Sequence, residues 1–156
     1  MVATTADTPA VVDASVAFKW VVGAEVHEEQ ARALLADSLR SGTPLVCPPH
    51  LFGEVANGLY QRARTNDPRR HLTQDQVLIA IQRLVSSPLQ PVAPPALYRE
   101  AFRLARQYAL PSLYDALYVV LAQLLGAELW TADQRLLTAL SGTAPWVTAI
   151  DTYPIQ

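Results

Sequence analysis

The sequence has one cysteine, Cys47, in 156 residues. A lone cysteine excludes an intrachain disulfide and any zinc site built on paired thiolates. Set in an apolar stretch, Cys47 reads as a small core residue. The three histidines, His27, His50 and His71, lack the paired spacing of zinc ligands and read as structural or exposed. There is no excess of positive charge: 12 Lys and Arg stand against 14 Asp and Glu, a net charge of −2. That balance excludes a generally basic nucleic-acid coat, so a polyanion must be held by a local cluster or by metal ions. No uninterrupted apolar run approaches the roughly 20 residues needed to span a bilayer, and Met1 to Ala10 lacks the basic start and apolar centre of a signal peptide. Repeats and low-complexity segments are also missing. The expectation is a soluble cytoplasmic protein without a membrane partner, in which residues 1–10 are disordered and 11–156 form a single domain.

What is present is an alternation of short apolar strands and helical periods, the pattern that builds a parallel sheet. Val11-Val12-Asp13 reads as a strand ending on a carboxylate, and Ser15 is placed to cap a short helix through Val22. Glu25 to Arg40 resumes the helical period until Ser41-Gly42. Leu45 to Cys47 is a second strand, closed by Pro48-Pro49 and followed by a helix from about His50 to Arg64. Thr73 and Gln76 form a capping box that opens a helix to Ser86. Leu89 to Ala93 is an edge strand at most, because Pro91 cannot donate to a central ladder. Helices from Pro94-Pro95 to about Tyr108 and from Pro111-Ser112 to Gly126 follow. Then come a strand at Ala127 to Thr131, a helix at Asp133 to Leu140 and a last strand at Trp146 to Ile150. The fold class expected is α/β, with about five strands and six or seven helices.

Four acidic residues stand out from this frame. Asp13 and Asp133 end or follow strands, while Glu54 and Asp115 lie in the first turns of helices. Singly, each has an ordinary explanation as a cap, a dipole partner or a solvated side chain. Together, all four can face the carboxyl edge of one sheet, where open α/β folds place their ligands. Four carboxylates in one cleft repel unless a cation holds them, and Mg²⁺ or Mn²⁺ takes such oxygen ligands. A metal so held can activate water and neutralise charge on a phosphodiester.

These residues also resemble a family. Val11-Val12-Asp13-Ala14-Ser15, Pro48-Pro49 ahead of Glu54-Val55-Ala56-Asn57, Leu113-Tyr114-Asp115-Ala116-Leu117-Tyr118, and Thr131-Ala132-Asp133 look like the four motifs of PIN-domain ribonucleases. Their order and spacing are most similar to the VapC-type toxins of bacterial toxin–antitoxin pairs. The resemblance implies a three-layer α/β/α sandwich around a parallel sheet of about five strands, and Mg²⁺- or Mn²⁺-dependent endonucleolytic cleavage of RNA. It makes Asp13, Glu54, Asp115 and Asp133 the catalytic, metal-binding carboxylates, with Ser15, Thr131 and Asn57 supporting them. It further implies an antitoxin protein as partner, whose tail covers the acidic cleft, and a homodimer.

Among the remaining residues, Lys19, Arg62, Arg64, Arg69 and Arg70 are candidate RNA-phosphate contacts, weighed against a solvated surface. Arg99, Arg103 and Arg106 share a helix face with Glu100 nearby and read as solvent-exposed. Trp20 and Tyr118 read as packing residues, whereas Tyr114, beside Asp115, stays open between packing and stacking on a base. Two other functions compete: a catalytically silent RNA-binding or scaffold domain, which the intact acidic quartet opposes, and an aspartate-based phosphatase, which wants an aspartate where Ser15 stands.

Overall fold

The structure, a computed structural model, describes residues 8–155. Its element order is β1 (Ala10–Val12), α1 (Ala14–Val21), α2 (Glu28–Ser41), β2 (Leu45–Cys47), α3 (Leu51–Arg64), α4 (Gln74–Val85), β3 (Gln90–Pro91), α5 (Leu97–Gln107), α6 (Leu113–Leu125), β4 (Glu128–Thr131), α7 (Gln134–Ala139) and β5 (Val147–Ala149), with a 3-10 turn at Ile150–Thr152. The strands make one sheet in the order β3-β2-β1-β4-β5, every pair parallel. Helices cover both faces, giving the three-layer α/β/α fold. Of the segment expected to be disordered, residues 1–7 lie outside the described residues. Ala10, at its other end, is already paired with Leu45 and Glu128.

A central strand in a doubly covered sheet must be apolar on both sides, and Val11 and Val12 of β1 are fully buried. The chain builds outward from β1 through β2 to β3, then returns to the other side of β1 as β4 and β5. Strand order therefore reverses between β1 and β4, and the crevice beyond their carboxyl ends is where such a sheet can receive a ligand. Asp13 follows β1 and Asp133 lies two residues beyond β4.

Helix α6 packs against both β1 and β4, and α5 packs on α6. Its residues Ala116 to Ala122 are all buried, in keeping with a stretch apolar on every side. It stops at Gly126, which adopts a left-handed conformation (φ 60°) open to glycine without steric cost. The Trp146 indole N–H donates to the Val119 carbonyl at 3.0 Å and ties the β5 side of the sheet to α6. No helix among the described residues is long and apolar enough to cross a membrane.

Three local expectations change. The N-cap of α1 is Asp13, whose backbone is extended and whose carboxylate accepts the Val16 amide; Ser15 lies inside the helix. Helix α2 starts at Glu28 rather than Glu25, because Ala24 and His27 take positive φ and the Glu28 carboxylate accepts the Ala24 amide at 2.7 Å. The edge strand shrinks to two residues, although the Val92 amide still reaches the Cys47 carbonyl at 2.8 Å.

The capping box of α4 is complete: the Thr73 hydroxyl accepts from the Gln76 amide and the Gln76 side chain accepts from the Thr73 amide. Thr73→Ala should therefore cost about 1 kcal/mol and lower the melting temperature by roughly 2–4 °C. An unchanged midpoint in a thermal melt would mean that the box contributes nothing.

Candidate active site

The most constrained side chain at the sheet's carboxyl edge is Asp13, 5% exposed. One carboxylate oxygen accepts from the Ser15 hydroxyl at 2.5 Å and from the Val16 amide at 3.2 Å, and the other accepts from the Thr131 hydroxyl. Each hydroxyl is itself held by the segment after β4: Ser15 Oγ accepts from the Ala132 amide at 2.8 Å, and Thr131 Oγ1 from the Asp133 amide at 2.9 Å. Ser15 and Thr131 thus both donate directly to Asp13. Burial pushes the Asp13 pKa up to about 6; the three donors pull it back, and the charge of Glu54 adds to the rise.

Glu54, Asp115 and Asp133 sit around this anchor. Burial, offset by a hydrogen bond from Tyr118, raises the pKa of Glu54, and the charges of Asp115 and Asp133 raise it further. Asp115 is raised by burial and then by Asp133. One Asp133 oxygen caps α7 through the amides of Arg135 and Leu136. The charges act in sequence: Asp115 and Asp133 on Glu54, Asp133 on Asp115, and Glu54 on Asp13.

Two residues read as packing or structure belong to this site. Tyr118 is buried, yet its hydroxyl donates to Glu54 Oε2 at 2.8 Å. Burial raises its pKa, so it remains a donor. His50 Nε2 is buried without a hydrogen-bond partner, 3.6 Å from the same oxygen. Burial also lowers the His50 pKa and favours the neutral ring. Its imidazole lies between Tyr114 and Tyr118, with ring centroids at 5.0 and 4.8 Å. The spacing of Asp115 and Tyr118 by three, and of His50 and Glu54 by four, was the available signal, since such helical neighbours share a face.

Glu54 lines two openings. On one side an open cleft of about 500 Å³ is lined by His50, Gly53, Glu54, Asn57, Ser112, Tyr114 and Asp115. On the other, a hollow of about 350 Å³ is lined by Ser15, Phe18, Lys19, Glu25, Glu54 and Ala132, among others. Asn57 lines the first cleft but makes no hydrogen bond to Glu54 among the described residues. A third, mostly apolar hollow beside α1 and α4, lined by Val21, Leu72, Ile79 and Ala80, contains none of the carboxylates.

The donor set suits a hard divalent cation: four carboxylates, all oxygen, three with a heightened hold on protons and therefore short of positive charge. Among the described residues, however, no three His, Cys, Asp or Glu side chains are gathered closely enough to grip one ion. Three of the carboxylates are engaged by separate partners: Glu54 by Tyr118, Asp133 by the amides of α7, and Asp13 by two hydroxyls. Asp115 accepts no hydrogen bond among the described residues and keeps both oxygens free.

The basic candidates divide. Lys19 is 8% exposed, lines the hollow beside Ser15 and Glu54, and forms no salt bridge among the described residues. Arg62 is engaged inside the protein, 2.7 Å from Glu25 and over the Phe18 ring. Arg69 pairs with Asp67 at 3.2 Å on the surface. Arg64 lies over Tyr60 and, with Arg70, borders a hollow at the end of α3.

Residues 10–140 match the PIN domain family. A comparison with curated proteins gives no significant match. Among solved structures, the crystal structure of PAE2754 from Pyrobaculum aerophilum is similar over 94% of this chain and 93% of that one, with a TM-score of 0.66 and 21% identity, a likeness of fold.

The raised carboxylates set a pH dependence for the metal-free protein. An acid that holds its proton more tightly when folded contributes stability fully below its unfolded pKa and loses it as pH rises through the folded value. For Asp13 that window runs from 3.8 to about 6, corresponding to about 3 kcal/mol between acidic and neutral pH. Glu54 and Asp115 act in the same direction. Urea unfolding in EDTA should give lower stability at pH 7.5 than at pH 5, a smaller difference in Asp13→Asn, and recovery in Mn²⁺. Equal stability at both pH values would contradict the clustered site.

Proposed function

The chain belongs to the PIN-domain family, whose members are generally nucleases that typically use divalent metal ions, and on that premise we propose that it is a Mg²⁺- or Mn²⁺-dependent endoribonuclease. The observation that carries the reading is the placement of Asp13 and Asp133 just beyond β1 and β4, where the sheet reverses its strand order, with Glu54 near enough for its charge to act on Asp13 and Asp115 near enough to act on Glu54. Asp13, Glu54, Asp115 and Asp133 are the residues that would hold the cation, drawing closer together than they stand without it. A bound divalent ion supplies Lewis acidity, neutralises charge on the phosphodiester and strengthens water as a nucleophile.

The chain's own groups prepare that chemistry. Ser15 and Thr131 fix the Asp13 carboxylate, so it is oriented before substrate arrives. The Tyr118 hydroxyl fixes one oxygen of Glu54 and leaves the other available. Lys19 lines the hollow beside Glu54 and forms no salt bridge among the described residues, which suits it to a backbone phosphate of RNA. Arg64 and Arg70 offer further charge along α3; Arg62 and Arg69 are engaged by Glu25 and Asp67. As in the toxins it resembles, the nuclease acts in the cytoplasm as a homodimer and is restrained by an antitoxin protein covering the acidic cleft.

RNA incubated with the protein in Mg²⁺ or Mn²⁺ should be cut, and EDTA should stop the cutting. Asp115→Asn should lower the rate by roughly 100-fold or more, and Tyr118→Phe by roughly 10- to 100-fold. Expression of the wild type without an antitoxin should slow bacterial growth, and expression of Asp115→Asn should not. Full cleavage by Asp115→Asn would remove that residue from the site, and harmless wild-type expression with intact cleavage would remove the toxin role alone.

Changing Arg64 and Arg70 together to Ala should flatten the dependence of single-stranded RNA affinity on salt, by roughly 0.7 in slope for each phosphate no longer neutralised. A slope equal to that of the wild type would return both residues to the solvated surface.

A further inference from the structure

Beside the carboxylates lies a part of the larger cleft that metal chemistry does not use. Tyr114 is 60% exposed although it directly precedes Asp115. Its amide donates to the Ser112 hydroxyl at 3.1 Å, fixing the backbone at the start of α6. Its ring rests against His50 at 5.0 Å with an interplanar angle of 35°. His50 is supported in turn by the buried Tyr118 ring at 4.8 Å. An exposed aromatic side chain is normally free to change rotamer; this one is backed by a stack that reaches into the core.

Gly53, in the first turn of α3, lines the same cleft. Glycine in a helix costs roughly 0.5–1 kcal/mol relative to alanine, and a Cβ here would meet nothing within 4 Å. Neither close approach nor a left-handed backbone requires glycine at this position, and its missing side chain leaves open the cleft that Tyr114 also lines. One turn along, Asn57 lines the same space with an exposed carboxamide. An open aromatic face, clear space opposite and an amide with both a donor and an acceptor suit one unstacked nucleobase.

We infer that Tyr114, backed by His50, forms a base-stacking subsite for a nucleotide of single-stranded RNA next to the cut phosphodiester, with Gly53 leaving space for the base and Asn57 facing its edge. This rests on the nuclease reading and assigns the substrate a conformation: the base beside the cut is turned out of its neighbours' stack. The phosphate lies on the other side of Glu54, toward Lys19.

Binding of a single-stranded RNA oligonucleotide at low salt in EDTA, followed by fluorescence anisotropy, tests the subsite without cleavage. Tyr114→Ala should weaken binding by roughly 5- to 100-fold, with an unchanged salt slope because no charge is removed. Tyr114→Phe should stay within about twofold of wild type. Gly53→Leu fills the space from a better helix former, so it should melt no lower than wild type and yet bind RNA more weakly. An oligonucleotide lacking the seated base should lose affinity for wild type and lose little more for Tyr114→Ala. The inference is overturned if Tyr114→Ala binds as wild type does, if the losses from the missing base and from Tyr114→Ala are independent, or if Gly53→Leu binds normally. A wild type that binds RNA in this way but does not cut it in Mn²⁺ removes the nuclease reading and supports the stacking subsite.

Discussion

The buried carboxylate of Asp13 is the constraint on which the site depends. A charge taken out of water is costly unless hydrogen bonds satisfy it, and here two hydroxyls and a backbone amide do so. The same hydroxyls receive amides from the segment after β4. One anion thereby fastens the start of α1 to the turn that leads into α7 and sets where Asp133 emerges. Removing a donor would loosen two elements together, because the bonds run as a chain and not as separate pairs.

Glu54 extends the order outward. Its partner Tyr118 comes from α6, so the carboxylate on α3 and Asp115 on α6 are registered against each other by a core tyrosine. That tyrosine also supports His50, and His50 supports Tyr114. A ring packed for stability therefore holds, at its two ends, an anion and an aromatic surface. Rigidity at the rim of the cleft is borrowed from the sheet below.

Much of this was legible in the residues. Val11-Val12-Asp13 announces a buried strand ending on a charge because both valines must be covered and the aspartate cannot continue them. The Thr73 and Gln76 box fixes a helix start by local chemistry alone. Other features needed tertiary facts. Ser15 reads as a cap, yet the extended backbone at Asp13 gives that place to the earlier residue. Tyr118 is a core residue by every sequence measure and is in fact buried; only its hydroxyl belongs to the site. The engagement of Arg62 by Glu25 joins positions 37 residues apart, which no local period reveals. His50 stacks on rings more than sixty residues later in the chain.

The bond from Thr131 to Asp13 spans 118 residues, and its span has a consequence for synthesis. A chain emerges N-terminus first at roughly 5–20 residues per second, so Asp13 and Glu54 leave the ribosome well before their partners exist. Until β4 is made, β1 lacks one of its two neighbours and Asp13 lacks a donor. Contacts this distant in sequence form late. The carboxylate cluster is therefore incomplete in the nascent chain until the segment from Glu128 to Asp133 has emerged and paired with β1.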